Sequence, residues 1–243
     1  MTDKLIGIIL AGGKGKRLKK FNKPKSLIKY KKKFLISHII DNFKINNIEK
    51  IYVVTGYKRK CIKSKINSNF IHNKRWNTTN MFCSLLTADK LLNKNYSIVS
   101  YSDIYYHSEA ISEILKKKYD ICISSYSKWK KLWRQRFDNP LDDLESFKKD
   151  KKNNLLEIGK QVDRISEIKG QYMGLLGISP RGWKIIKNSV KDISLKSLSK
   201  ISLTEVLSLV LSKKNIVKII PYKKLFFEID FIKDMKIQRQ YES

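Results

Sequence analysis

The apolar run Leu5 to Leu10 empties directly into Ala11-Gly12-Gly13-Lys14-Gly15-Lys16-Arg17-Leu18, and Lys23-Pro24-Lys25-Ser26-Leu27 follows a few residues later. A buried strand that opens into a glycine-rich, cation-rich loop lets backbone amides approach a polyphosphate closely, while Arg17 and Lys25 supply mobile positive charge. The expected nucleotide contacts are therefore Leu10, Ala11, Gly12, Gly13, Lys14, Gly15, Lys16, Arg17 and Lys25. Arg17 and Lys25 are the two residues expected to act on the reacting phosphates.

Spacing excludes two other phosphate loops. A Walker A loop needs Ser or Thr after Gly-Lys, and Gly15-Lys16 is followed by Arg17, so no hydroxyl stands where it would hold magnesium. A dinucleotide fingerprint needs a third glycine at position 18, which is Leu.

The 243 residues, 42% of them hydrophobic, are enough for one sizeable α/β domain. No apolar run is long enough to span a bilayer, and Met1 to Lys4 leads into a strand without a secretory core, so a cytoplasmic protein with no membrane partner is expected. Cys61, Cys83 and Cys122 form no Cys-x-x-Cys pair, and His38, His72 and His107 have no ligand spacing. Reduced thiols are expected, and any metal should be oxygen-bound. The net charge of +30 suggests nucleic acid, yet the 52 cationic residues are spread along the whole chain among many Ile and Asn residues. The pattern reads as compositional drift, with no specific nucleic-acid partner and a surface that draws in anionic substrates.

Apolar runs alternate with helical periodicity through the first half, the pattern of a doubly wound, mostly parallel, Rossmann-like α/β sheet. Strands are expected over 5–11, 48–55, 70–72, 97–101 and 120–126, with helices over 33–45, 80–92 and 108–117. Residues 127–160 break the rhythm and read as an insertion over the sheet's carboxyl edge. Regular elements return with strands over 167–179, 216–220 and 225–230, and helices over 180–190, over 203–213 and from Ile232. No linker divides the chain, so one domain over 1–243 is expected.

Asp103 ends one strand and Asp230 another, so both carboxylates should emerge at a shared sheet edge. Beside a triphosphate loop they form a hard-oxygen pair of the kind magnesium prefers; alone, each reads as a turn or helix cap. Thr79 or Asn80 before an apolar run is good helix-capping chemistry, which is compatible with a place near a nucleotide.

The first loop with its Lys-Pro-Lys segment resembles the signature of sugar-phosphate-type nucleotidyltransferases. In that family the first metal aspartate closes a central strand, matching Asp103, and the second lies in a late Glu-x-Asp segment, matching Glu228-Ile229-Asp230. Asn77-Thr78-Thr79-Asn80-Met81-Phe82-Cys83-Ser84-Leu85 resembles the phosphocholine cytidylyltransferase branch, which places Thr79, Asn80 and Ser84 near the nucleotide. Trp129-x-x-x-Trp133-x-x-Arg136, Pro140-Leu141-Asp142-Asp143-x-Glu145-x-Phe147, Glu157-Ile158-Gly159-Lys160 and Gly170-Gln171-Tyr172-Met173-Gly174-Leu175 are similar to CTP-dependent 2-aminoethylphosphonate cytidylyltransferases.

The resemblance implies transfer of CMP from CTP to a small phosphonate or phosphate, 2-aminoethylphosphonate first among them, with magnesium on Asp103 and Asp230 and release of pyrophosphate. Phosphocholine or an amino-acid phosphate such as L-glutamine phosphate is an alternative acceptor. A sugar-1-phosphate nucleotidyltransferase using UTP or TTP, and a basic nucleic-acid-binding protein, are alternative functions. The acceptor side would comprise Trp129, Trp133, Arg136, Asp142, Asp143, Glu145, Lys160, Gln171, Tyr172 and Glu228. Cations there suit the phosphonate, and acids or aromatic faces suit an ammonium group. The tryptophans read equally as core packing and the acids as a solvated turn.

Overall fold

The computed structural model describes residues 4–18 and 22–241. Met1 to Asp3, on which the expectation about a leader mostly rests, lie outside the described residues.

Seven strands form the central sheet: β1 (Lys4–Ala11), β2 (Ile51–Thr55), β3 (Asn69–His72), β4 (Asn95–Tyr101), β5 (Ile121–Tyr126), β6 (Gln171–Ile178) and β7 (Lys218–Tyr222). Their spatial order is β7-β5-β6-β4-β1-β2-β3. Only β6 runs against its neighbours β4 and β5, so the sheet is mostly parallel, as the alternating pattern predicts. β1 is flanked by β2 on one side and β4 on the other, with Leu10 opposite both Val54 and Tyr101. The chain changes winding direction between β1 and β4, which is where an open α/β sheet leaves a crevice beyond its strand ends. The near-continuous burial of β1 from Ile6 to Ala11 is what a strand covered on both faces requires.

Helix α1 (Leu35–Ile45) buries Leu35, Ile36, Ile39, Ile40 and Phe43, the face its periodicity forecasts. It starts two residues later than expected, because Lys29–Tyr30 and Lys33–Phe34 pair as a tight hairpin whose turn residues Lys31 and Lys32 both have positive φ. The single helix expected over 80–92 is two, α2 (Met81–Leu86) and α3 (Asp89–Leu92). Thr87 donates its hydroxyl to the Ser84 carbonyl, 2.6 Å away, at the break.

The remaining helices are α4 (Glu109–Lys117), α5 (Trp129–Arg136), α6 (Pro180–Val190), α7 (Leu195–Lys200), α8 (Leu203–Ser212) and α9 (Ile232–Arg239), with one further short turn at Arg59–Lys63. Helix α7 was not foreseen; it is only six residues long and buries no side chain completely. The strand expected over 225–230 is reduced to Phe227–Glu228, paired antiparallel with Ile104–Tyr105.

The segment after β5 contains α5, a turn at Pro140–Asp142 and a hairpin of Glu145–Lys149 with Leu155–Gln161. It leaves the sheet at the carboxyl end of β5 and returns as β6, whose first residue, Gln171, faces Tyr126. The hairpin does more than cover that edge. Its turn is tied to the start of β7, with Leu155 N–H donating to Val217 O and Ile219 N–H to Asn153 O, each 2.8 Å.

Candidate active site

The glycine loop leaves β1 at the crevice. Gly15 sits at φ +67°, and a Cβ there would come within 2.8 Å of the Lys25 side chain. That glycine therefore has two physical causes: a left-handed backbone and the aliphatic stem of Lys25 lying against it. The Leu18 N–H closes the turn onto Gly15 O at 3.0 Å.

A satellite apolar cluster explains how three distant stretches of chain reach the loop. Leu18, Ile28, Tyr30, Leu35, Phe227 and Ile229 pack together, separate from the main core. Three of them lie close in sequence to a charged residue of interest: Leu18 follows Arg17, Ile28 follows Lys25 closely, and Ile229 precedes Asp230. Burying the apolar neighbours fixes the backbone from which the charged side chains project. The two aspartates are aligned separately, since Ile229 N–H donates to Asp103 O at 2.9 Å beside the Phe227–Glu228 pairing.

Lys25 Nζ is the meeting point. It donates to Asp103 Oδ2 at 3.2 Å and to Asp230 Oδ1 in a short contact, and its side chain is 12% exposed. Arg17 Nη1 holds the other oxygen of Asp230 at 2.9 Å and approaches Asp143 at 3.6 Å. Behind them, the buried Arg136 donates from Nε to Asp234 Oδ1 at 3.0 Å and from Nη1 to Glu228.

Burial works against the Lys25 charge, but Asp103 and Asp230 outweigh it and raise its pKa above the usual lysine value. Burial also disfavours the Asp230 carboxylate, and there Lys25, Arg17 and Arg136 prevail and hold it below the usual range. Asp103 goes the other way: burial, reinforced by the Asp230 charge, exceeds the help of Lys25 and pushes it up. Glu228 is pushed up to about 7 by burial, against the pull of Arg136 and with repulsion from Asp230, Asp143 and Asp103. The protonation of Asp103, Glu228 and Asp230 is thus interdependent.

The central cavity, about 350 Å³, is lined by Leu10, Ala11, Gly13, Gly15, Arg17, Lys25, Ser26, Asp103, Glu228 and Asp230, among others. A second cavity of about 550 Å³ shares Gly13 and adds Lys14, Lys16, Trp76 to Asn80, Ser199 and Lys200. A third, about 600 Å³, shares Arg17 and adds Asp142, Asp143, Glu145, Lys160 and Asp163. The loop therefore stands between two larger recesses, joined to one by Gly13 and to the other by Arg17.

The remaining expected site residues are buried in the core or already bonded to neighbours, although Thr79 and Asn80 line the second recess and Lys160 the third. Trp129 and Trp133 are buried in the main apolar cluster and do not present open faces to a ligand. Helix α5 buries Trp129, Leu132, Trp133 and Arg136, one helical face, and the Arg136 guanidinium stacks over the Trp133 ring at 4.8 Å. Arg136, at 1% exposed and engaged by carboxylates, has no free donor face for an acceptor phosphonate. Tyr172 is buried edge-on against Tyr101, and Gln171 occupies the end of β6 opposite Tyr126. Ser84 underlies the loop: it accepts from Asn73 Nδ2 at 3.0 Å, and a Cβ on Gly12 would lie 3.3 Å from its hydroxyl. Asn80 caps α2 by accepting from Met81 N–H at 2.8 Å while donating to Lys200 O at 2.9 Å, so its capping role holds and its amide is already bonded. Thr79 donates to Arg75 O at 2.7 Å. Lys160 is exposed and pairs with Glu157 at 3.0 Å.

Sequence reasoning missed Trp76, which lines the second cavity and packs against Tyr57 at 5.4 Å between ring centroids, and the α7 residues Ser199 and Lys200. It also missed Asp234, 2% exposed, whose only local signal was its position three residues into a helix start.

Among the described residues, no helix is long and apolar enough to cross a membrane. Among the same residues, no group of three or more His, Cys, Asp or Glu is arranged to hold a metal. The Asp103 and Asp230 carboxylates nevertheless gather around one cationic nitrogen, a hard-oxygen pair of the kind that would hold magnesium.

Comparison with known proteins agrees with this geometry. Residues 7–162 match the MobA-like NTP transferase domain. The chain is 30% identical over 251 aligned residues to the CTP:phosphoglutamine cytidylyltransferase of Campylobacter jejuni, covering 95% of this chain and 98% of that one. Among solved structures, the CTP:phosphocholine cytidylyltransferase of Streptococcus pneumoniae superposes with a TM-score of 0.74 at 17% identity, covering 99% of this chain and 100% of that one. A glucose-1-phosphate thymidylyltransferase candidate from Bacillus anthracis superposes with a TM-score of 0.78 at 14% identity, covering 98% and 95% of the two chains. The loop at the end of β1, the sheet order and the match across most of the Rossmann-like core together make this chain a nucleotidyltransferase of the MobA-like NTP transferase family.

Proposed function

We propose that this protein transfers CMP from CTP to a small phosphorylated amino acid, with L-glutamine phosphate the leading acceptor, and releases pyrophosphate. The carrying observation is the convergence of Arg17, Lys25, Asp103 and Asp230 on one cavity between two larger recesses. The full-length likeness to a CTP:phosphoglutamine cytidylyltransferase supports cytosine as the base and favours the amino-acid phosphate over 2-aminoethylphosphonate, which carries the same ammonium group. One domain and a cytoplasmic location belong to the same reading.

In this proposal the triphosphate lies along Gly12 to Gly15, whose amides and the Arg17 and Lys25 side chains neutralise the β- and γ-phosphates. Trp76, Thr79 and Asn80 flank the nucleoside in the second recess, and the acceptor occupies the third. There Asp142, Asp143 and Glu145 offer carboxylates to an ammonium group. An ionised phosphate oxygen attacks the α-phosphorus in line, so no general base is needed and rate comes from positioning and charge neutralisation. Asp103 and Asp230 would hold magnesium, which supplies charge stabilisation at the phosphates when bound. Lys25 now pairs with both aspartates, so it is already placed to exchange a carboxylate partner for a phosphate.

Pyrophosphate release tests this directly. The purified protein is incubated with magnesium, each of four nucleoside triphosphates, and L-glutamine phosphate, 2-aminoethylphosphonate, phosphocholine, phosphoethanolamine or a hexose-1-phosphate. Release with CTP and L-glutamine phosphate is expected. Release with UTP or TTP and the hexose-1-phosphate would replace the proposal with the sugar reading. Silence throughout, with tight salt-sensitive RNA binding, would replace it with a nucleic-acid-binding one.

A further inference from the structure

Arg136 and Asp234 form a buried ion pair. Both are almost wholly buried, at 1% and 2% exposed, and they come from opposite ends of the second half of the chain. Arg136 ends helix α5, and Asp234 lies in the first turn of α9. The guanidinium meets the carboxylate at two points, Nε to Oδ1 at 3.0 Å and Nη2 to Oδ2 at 3.3 Å. The same Oδ2 accepts the backbone N–H of Asp230 and of Phe231, each at 2.8 Å. The remaining donor, Nη1, contacts Glu228 on the far side of Asp230 and reaches toward Asp143 at 3.9 Å.

Asp230 is thus held from both directions along its own backbone. Its N–H is fixed by Asp234, its neighbour Glu228 by Arg136, and Arg136 itself is locked by stacking on Trp133 at 4.8 Å and Phe137 at 5.1 Å. Removing solvent from these groups makes the fork geometry stiff, since neither charge has water to turn to. Asp234 is therefore more than a helix cap. Its oxygens are used up in aligning the short stretch from which the Asp230 carboxylate enters the cavity.

We propose that Asp234 and Arg136 are positioning residues for the Asp230 side of the divalent-cation seat, coupling the insertion helix α5 to the metal rather than to the acceptor. The inference rests on the assignment of Asp103 and Asp230 as metal ligands given above. Supporting groups of this kind typically change metal affinity about ten- to a hundredfold when removed.

The test measures Mn2+ binding to the intact protein by electron paramagnetic resonance, with CTP present and no acceptor, alongside thermal melting and steady-state kinetics. Asp234→Asn is expected to melt as a cooperative fold, bind Mn2+ about tenfold more weakly, and keep the wild-type KM for CTP once metal is saturating. Arg136→Lys keeps the charge but cannot make the two-point fork, and is expected to shift Mn2+ affinity in the same direction. Should Asp234→Asn fail to fold, Arg136→Lys decides the question. A folded Asp234→Asn, or failing that a folded Arg136→Lys, with wild-type Mn2+ affinity overturns the positioning role. Asp230→Asn separates the two levels: if it too binds Mn2+ like wild type, the metal seat itself is misassigned, whereas loss there with none at Asp234→Asn removes only this inference.

Discussion

The glycine-loop wall and the insertion wall of the crevice are built by opposite strategies. At the glycine loop, Gly13, Gly15, Arg17 and Lys25 come from one short stretch of chain and all line the central cavity, because glycines keep the backbone thin. In the insertion, the conspicuous residues Trp129, Trp133 and Arg136 are the buried ones, while the plain acids Asp142, Asp143 and Glu145 line the neighbouring recess. A local motif keeps its meaning because backbone geometry carries it. An aromatic-rich helix does not, because burying its apolar face is worth more than displaying it.

The contrast breaks most sharply at Trp133. Replacing it with Ala should destabilise the protein by about 3–5 kcal/mol, because a large ring leaves a cavity in the core. Trp133→Phe should leave KM for the acceptor unchanged. A raised acceptor KM in a fully folded Trp133→Phe, followed by melting and initial rates, would return that ring to the pocket. Next in size is Lys25→Ala, which should lower turnover by about a hundredfold or more and also lower the melting temperature, because Asp103 and Asp230 lose the cation they share; stopped pyrophosphate assays measure the turnover, and a tenfold loss or less would place Lys25 outside the reacting centre.

Gly15→Ala sharpens the glycine-loop side. A non-glycine residue held at positive φ costs about 1–3 kcal/mol, and the added methyl group also crowds the Lys25 stem, so lower stability and lower turnover should appear together. Denaturant melts with paired kinetics would show them separating if Gly15 serves only the turn. The smallest effect concerns Glu228. Its carboxyl binds a proton more tightly when folded than its ordinary value near 4.5 allows, up to about 7, so the folded state holds more protons in that window. Stability should therefore fall as pH rises from about 4.5 to about 7, and fall less in Glu228→Gln. Melting temperatures across that range check the sign.

The alternation of apolar runs was enough to foresee a mostly parallel α/β sheet, since strands buried on both faces and amphipathic crossover helices leave different periods in the chain. Asp103 was legible because it ends such a run. Asp230 was read as the end of a strand over 225–230 and as part of a Glu-x-Asp segment, but the strand is two paired residues long and owes its place to Ile104 and Tyr105. Trp76 and Asp234 left no periodic trace: one lies in a turn, and the other looks like any first-turn acid of a helix.

Sequence alone therefore determined the sheet class and the glycine loop, because each depends on residues adjacent along the chain and on backbone conformations that few residue types permit. Tertiary structure decided which polar groups face the cavity and which are consumed in the core. Arg136 shows why: its charge is written in the sequence, but whether that charge meets a substrate or a buried carboxylate depends on Asp234, 98 residues away, and on the desolvation that makes their pairing obligatory.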